Sequence, residues 1–233
     1  MRCAIHYVPP PDDPLTVKAA AWLGRDSYSG MPRSTTVEGL TASDHSFLTA
    51  LPRRAGFHAT LKPPFALEEG HTLRELERRI GAYSAELAPV ALELRIALLD
   101  TFFALVPTTP QPELDRLAAN VVAEFDRFRR PMSPDDLERR SAARLSQAQL
   151  SNLAKWGSPY VFGQFTFHMT LTGPVDRDER EHVALVLARC FGAAPIRVLV
   201  DRLVLAVQEQ EHEPFGVHSA HPFGEHEERL LIA

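Results

Sequence analysis

Apolar and polar positions alternate over residues 2–8, "RCAIHYV", and the alternation stops at three consecutive prolines, which predicts a first strand with a sharp end. Asp13-Pro14 then opens a helical stretch whose Leu15, Ala19, Trp22 and Leu23 fall on one side. From Gly24 to Arg54 the chain is polar and rich in turn residues, so a long loop with a short helix after Ser43 is expected. "RRAGFHATLKPPF" reads as a strand running into a proline turn, and His71 to Leu87 as a helix with Leu73, Leu76, Ile80 and Tyr83 at steps of three and four. "VALELRIALL" and "FFALVP", broken at Asp100-Thr101, read as two antiparallel strands. An amphipathic helix follows from Glu113 to Arg130, with Leu114, Leu117, Val121, Phe125 and Phe128 inward.

Residues 131–157 carry a Ser133-Pro134 helix start and a second helix through Leu145, Leu150 and Trp156, with no counterpart in the first half, and are read as an insertion. Then the earlier order returns: strand "QFTFHMTLTGP", helix 177–191, strand "IRVLVDRLVLAVQ". The expected class is α+β, a single bilobal domain over 1–233 with mostly antiparallel sheets around a central cleft. One lobe is centred on 56–106 and the other on 163–208.

The composition, 45% hydrophobic and 24% charged over 233 residues, is that of a globular chain. A net charge of −5 and a pI near 6.1 disfavour long-range capture of a polyanion, so nucleic acid is not the expected partner. No stretch approaches the ~18 apolar residues of a membrane span, and the amino-terminal run is too short for a signal peptide. A cytoplasmic location is expected, with no membrane partner. Cys3 and Cys190 lack a CxxC partner and read as buried apolar residues.

Within the two matching strands a short pattern occurs twice, "GFHATLKPP" at 56–64 and "TFHMTLTGP" at 166–174. Residues two apart on a strand share a face. His58, Thr60 and Lys62 therefore point one way in the first copy, and His168, Thr170 and Thr172 in the second. A core has no use for the same polar face twice. Two imidazoles in opposite protonation states can take a proton from water and give one to a leaving oxygen, the acid and base of an in-line displacement at phosphorus. The threonine hydroxyls are placed to donate to the non-bridging oxygens, and Lys62 to support their charge. This chemistry calls for no metal and no cofactor.

On these residues the chain resembles the two-histidine phosphoesterase superfamily, whose members repeat histidine, any residue, threonine or serine, apolar residue. The resemblance implies a bilobal α+β fold and carries over His58, Thr60, His168 and Thr170 as the catalytic set. Further stretches, "AIHYVPPPDDPL", "AAWLGRDSYSG", "WGSPYVFGQFTFHMTLTGP" and "EQEHEPF", look like a bacterial branch encoded beside genes for phosphonate use through carbon-phosphorus lyase. That likeness implies a small cyclic phosphate as substrate, 5-phosphoribosyl 1,2-cyclic phosphate, and other phosphonate-pathway enzymes as partners. It also implies Tyr160 and Gln210 as residues of the cleft. His6 stands where this branch implies an aromatic residue.

A second phosphate on such a substrate needs its own cation, for which Arg53, Arg54, Arg129, Arg130, Arg139, Arg140, Arg144 and Lys155 are candidates. His212, His218, His221 and His226 crowd the carboxyl-terminal region without zinc-ligand spacing and read as surface residues. No GxGxxG, GxxxxGK or GxSxG pattern is present, which disfavours nucleotide-dependent kinases, dehydrogenases and serine hydrolases. Two alternatives stand beside the sugar cyclic phosphodiesterase: an enzyme acting on RNA 2′,3′-cyclic phosphate ends, and a module that binds a phosphorylated ligand without turnover.

Overall fold

The computed structural model describes residues 1–141 and 144–224. One mixed α+β unit is built on a single eight-stranded sheet in which every registered pair is antiparallel. The strands are β1 (Arg2–Tyr7), β2 (Ala59–Phe65), β3 (Val90–Leu99), β4 (Phe102–Pro107), β5 (Met169–Pro174), β6 (Ile196–Val200), β7 (Arg202–Gln208) and β8 (Gly216–Pro222). Their spatial order is β6-β3-β4-β5-β2-β1-β7-β8. The strands that follow the two histidines, β2 and β5, thus lie side by side at the centre. Each half of the sheet draws two strands from the first half of the sequence and two from the second.

The helices start where local chemistry directs. Asp13 accepts from the Leu15 amide at the head of α1 (Pro14–Leu23), and Gly24 ends that helix in a left-handed conformation. Helix α2 (Ala42–Ala55) is capped by Thr41, and reciprocal capping bonds between Thr72 and Glu75 open α3 (Leu73–Ala85). Helices α4 (Pro112–Glu124), α5 (Pro134–Ser141), α6 (Gln147–Trp156) and α7 (Arg180–Phe191) complete the set. One sheet face and the helices form the core: Ile5, Tyr7, Leu203, Leu205, Met169, Leu171, Leu92 and Leu94 meet Leu15, Trp22, Leu48, Leu76, Ile80, Leu114, Val121 and Leu187. The Trp22 indole N–H donates to the Leu171 carbonyl at 2.7 Å and fixes α1 to the central strand β5.

Three departures from the sequence expectation have physical causes. The stretch before the first motif holds a 14-residue helix, α2, in place of a short one. It turns His45, Leu48, Thr49 and Pro52 inward and ends directly against the motif at Gly56. The run "IRVLVDRLVLAVQ" is two strands, for at Asp201 the chain leaves β3's side and joins β1. The carboxyl-terminal segment read as surface contains β8, paired along β7. Its burial pattern alternates too weakly to announce a strand.

Candidate active site

Strands β2 and β5 share one registered pair, Ala59 opposite Met169. Continuing that antiparallel register by one residue each way sets His58 across from Thr170 and Thr60 across from His168. A local two-fold axis passing between Ala59 and Met169 relates the two copies. The spacers Ala59 and Met169 are buried in the core, so the histidines and threonines are turned to the opposite face. On that site face His6 is paired with Thr60, and Ala104 with Thr170.

Both imidazoles are held alike. His58 Nδ1 is 2.9 Å from the carbonyl of Gly56, and His168 Nδ1 is 2.8 Å from that of Thr166. A carbonyl only accepts, so each Nδ1 carries the hydrogen and each Nε2 presents a lone pair. The Thr60 hydroxyl donates to His58 Nε2 at 3.0 Å. His168 contacts the Phe102 ring at a tilt, 5.9 Å between centroids. His58 stacks on His6, with centroids 3.8 Å apart and planes 20° from parallel. Burial, only partly offset by the bond to Gly56 and joined by repulsion from His168, pushes the His58 pKa down to about 4.

Gly56 makes the turn from α2 into the motif at φ +79°, a region that L side chains rarely adopt. Behind it the Ser27 hydroxyl accepts from the Phe57 amide at 2.7 Å.

Lys62 departs from the expectation. Thr60 stands opposite His6 and Lys62 opposite Ile5, so β2 gains a residue on β1 between those pairs. That bulge breaks the two-residue alternation and turns Lys62 to the core face. There its ammonium, almost fully buried, donates to the Val122 carbonyl at 3.1 Å and to Asp126 at 3.2 Å. Thr172 is likewise removed from the set, for its hydroxyl accepts from the Phe103 amide in the interior.

The other candidates scatter. Arg54 bonds the Glu211 carbonyl, Gln210 is exposed in the turn after β7, and Tyr160 is 58% exposed on the loop after α6. Arg53 holds the Leu23 carbonyl and Arg129 holds Asp126, both structural. Arg139 pairs with Asp136 and Arg140 reaches the Gly157 carbonyl. Among the histidines near the carboxyl end, His218 approaches Glu77 and His221 bonds Ser219, while His226 lies outside the described residues.

The sequence reading passed over one cation. Arg95 is paired with Val106 on β4, and Val106 by continued register stands beside His168. Arg95 therefore lies on the site face two strands from His168. It is exposed and makes no ion pair among the described residues. Only strand pairing, which a sequence does not display, brings it there.

Comparison with known proteins gives a family first: one described as "Protein of unknown function (DUF1045)" matches residues 60–216, a span that includes His168 and both threonines. A protein of Janthinobacterium sp. (strain Marseille) named ribose 1,5-bisphosphate phosphokinase PhnN is 34% identical over 99% of this chain. A protein of the same name from Laribacter hongkongensis (strain HLHK9) is 36% identical over 76% of it. The chain spans about half the length of these relatives, 52% of the first and 41% of the second. Among solved structures, TT0787 of Thermus thermophilus aligns over 97% of this chain and 100% of its own at 15% identity and a TM-score of 0.45. LigT of E. coli complexed with 3′-AMP aligns over 96% and 98% at 12% identity and a TM-score of 0.40.

Proposed function

The chain belongs to the DUF1045 family, described as a protein of unknown function, and for this member we propose hydrolysis of a small cyclic phosphodiester by a histidine pair. The observation that carries the reading is the two-fold arrangement of His58-x-Thr60 and His168-x-Thr170, each imidazole with Nδ1 on a carbonyl. One Nε2 accepts a proton from a water whose oxygen bonds to phosphorus. On the far side the phosphorus–oxygen ester bond breaks, and the second imidazole, entering as imidazolium, protonates the departing oxygen. The threonine hydroxyls donate to the non-bridging oxygens as charge gathers there.

The substrate class proposed is 5-phosphoribosyl 1,2-cyclic phosphate. Water opening that ring at the bond from phosphorus to the 2-oxygen yields ribose 1,5-bisphosphate, the compound in the name of the two curated relatives. The phosphokinase of that name is not carried over, because this chain has no GxxxxGK phosphate loop. The 5-phosphate needs a cation on the site face, and Arg95 is free to provide it. Replacing Arg95 with Gln is expected to raise KM for the 5-phosphorylated substrate ~10-fold or more, with kcat nearly unchanged. KM for ribose 1,2-cyclic phosphate should not move, and an equal rise for both sugars would remove Arg95 from this role.

Phosphorus NMR of the purified protein in EDTA tests the reaction, offering 5-phosphoribosyl 1,2-cyclic phosphate and, separately, a nucleoside 2′,3′-cyclic phosphate. Ring opening of the sugar alone, abolished in His58→Ala and in His168→Ala, is the expected result. Preference for the nucleotide would move the assignment to RNA ends. Binding without turnover of either would make the site a phosphate-recognition module, and rescue of a dead EDTA sample by a divalent ion would replace the two-histidine mechanism.

A further inference from the structure

His6 lies in β1, paired across from Thr60, and is 3% exposed. Its Nε2 is buried with no hydrogen-bond partner among the described residues. Leaving a buried polar nitrogen unpaired costs about 1–3 kcal/mol. That nitrogen is therefore not what keeps the ring there. Its strongest contact is the near-parallel stack on His58 at 3.8 Å, with Phe215 at 6.1 Å beyond it. The space beside the stack, lined by His6, Ser27, Phe57, His58, Ala206 and Phe215, measures about 10 Å³, barely one water. No substrate enters there.

We propose that His6 is a positioning residue for His58: its ring seals one face of the imidazole, keeps Nε2 toward the site, and so makes His58 the base and His168 the acid. The proposal rests on the histidine-pair reading above and adds to it the division of labour between two residues that the motif alone leaves equivalent. The two environments differ in the required sense. Both are tied at Nδ1, but His58 is also bonded by Thr60 and covered by an aromatic ring at contact distance. Beyond its Nδ1 bond, His168 has only the tilted, more distant Phe102 and an Nε2 with no protein partner among the described residues.

The groups facing His58 are His6 from β1, His168 from β5 and Thr60 from its own strand, with the Arg25 guanidinium behind Gly56. None is a carboxylate, so only the bond to the Gly56 carbonyl works against the cost of a charged His58. Burial also drives His6 itself well below the ordinary histidine range, and the charge of His58 would lower it further. His6 therefore adds no charge beside the base. On this account the contribution of His6 is its flat, uncharged ring, which phenylalanine also offers.

The experiment is a proton–nitrogen NMR titration of the imidazoles in the full chain, with no substrate, alongside pH profiles of kcat/KM. In the parent protein His58 should take up its proton only near pH 4. His6→Phe is expected to keep that value, hold kcat/KM at pH 7 within ~3-fold, and fold as stably or more so because the orphan nitrogen is gone. His6→Ala should move His58 toward the ordinary 6.5 and raise the acid limb of the pH profile equally, and by leaving the imidazole free to turn away from the site it should also lower kcat/KM at pH 7 by ~10-fold or more, a loss the change in protonation alone does not give. A His58 titration left near 4 in His6→Ala overturns the proposal, as does a His6→Phe protein that loses the low value. If His6→Ala does not fold, the phenylalanine variant decides alone. Because the titration needs no turnover, failure to find a substrate would count against the enzymatic reading while leaving this test intact.

Discussion

A lysine ammonium withdrawn from water is expensive to keep charged, and Lys62 is held that way by Asp126 and the Val122 carbonyl. Burial pulls its pKa down to about 8, against the attraction of Asp126, whose own pKa is lowered chiefly by Arg129 and Lys62 once the cost of its burial is met. Replacing Lys62 with Ala is expected to lose ~2 kcal/mol, less than for a fully isolated buried pair because Arg129 still holds Asp126 at 2.8 Å. Lys62→Met should be near neutral for stability, and both variants should bind the cyclic phosphate with unchanged KM. Denaturant unfolding and steady-state kinetics check this, and a tenfold KM increase in a folded variant would return Lys62 to the phosphate. The half-buried His58 adds a pH term of defined sign. With a folded pKa near 4 against an unfolded 6.5, His58 binds more protons when unfolded, so stability should fall as pH drops from about 6.5 toward 4 and then level off. A stability curve flat over that window in wild type, or unaltered in His58→Phe, would contradict the burial of this ring.

At the level of elements, the junction of α2 and β2 is where fold and chemistry meet. A Cβ added to Gly56 would stand 3.2 Å from the Ser27 hydroxyl, at a φ of +79°. Gly56→Ala is expected to cost about 1–3 kcal/mol and to reduce kcat more than KM, since the Gly56 carbonyl orients His58. Thermal melts and kinetics together would show whether the loss is confined to stability. The same junction shows what a sequence discloses. His58, Thr60, His168 and Thr170 are legible because the unit recurs, and period-two alternation gives them a common face. Lys62 was misplaced because one inserted residue between the Ile5 and His6 pairings shifts the phase, and bulges leave no reliable sequence mark. Arg95 was invisible because its relation to His168 runs through two strand pairings. The elements with strong periodicity, β1, α3, β3 and β4, match the sequence expectation within two residues at each end, whereas α4 starts as expected but stops at Glu124, six residues short of Arg130, where a 3-10 turn takes over. Helix α2 and strand β8 were underread because tertiary packing, not pattern, defines them.

For the molecule as a whole, the helical excursion between η1 (Asp126–Phe128) and β5 stands outside the sheet's pairing. Helix α5 buries none of its side chains and carries Arg139 and Arg140 near its end. Limited trypsin cleavage there is expected to leave the two pieces associated, with Tm lowered by no more than a few degrees and turnover retained. Dissociation on nicking would show that the intact segment holds the two pieces together, and loss of turnover without dissociation that α5 closes over the site.

The strap from β6 through Asp201 to β7 sets a timetable. Strand β7 is the inner partner of β1, pairing Arg2 with Gln208, and Tyr7 reaches across to the Leu199 carbonyl. A chain emerging from the ribosome therefore makes β1 about two hundred residues before β7, one of that strand's two neighbours, exists. Until residue 208 is free, β1 and β2 expose an unpaired edge and an apolar face, and loop closure over that separation is slow. Synthesis rate and chaperone supply, as much as any side chain in the site, should govern how much of this protein reaches its working form.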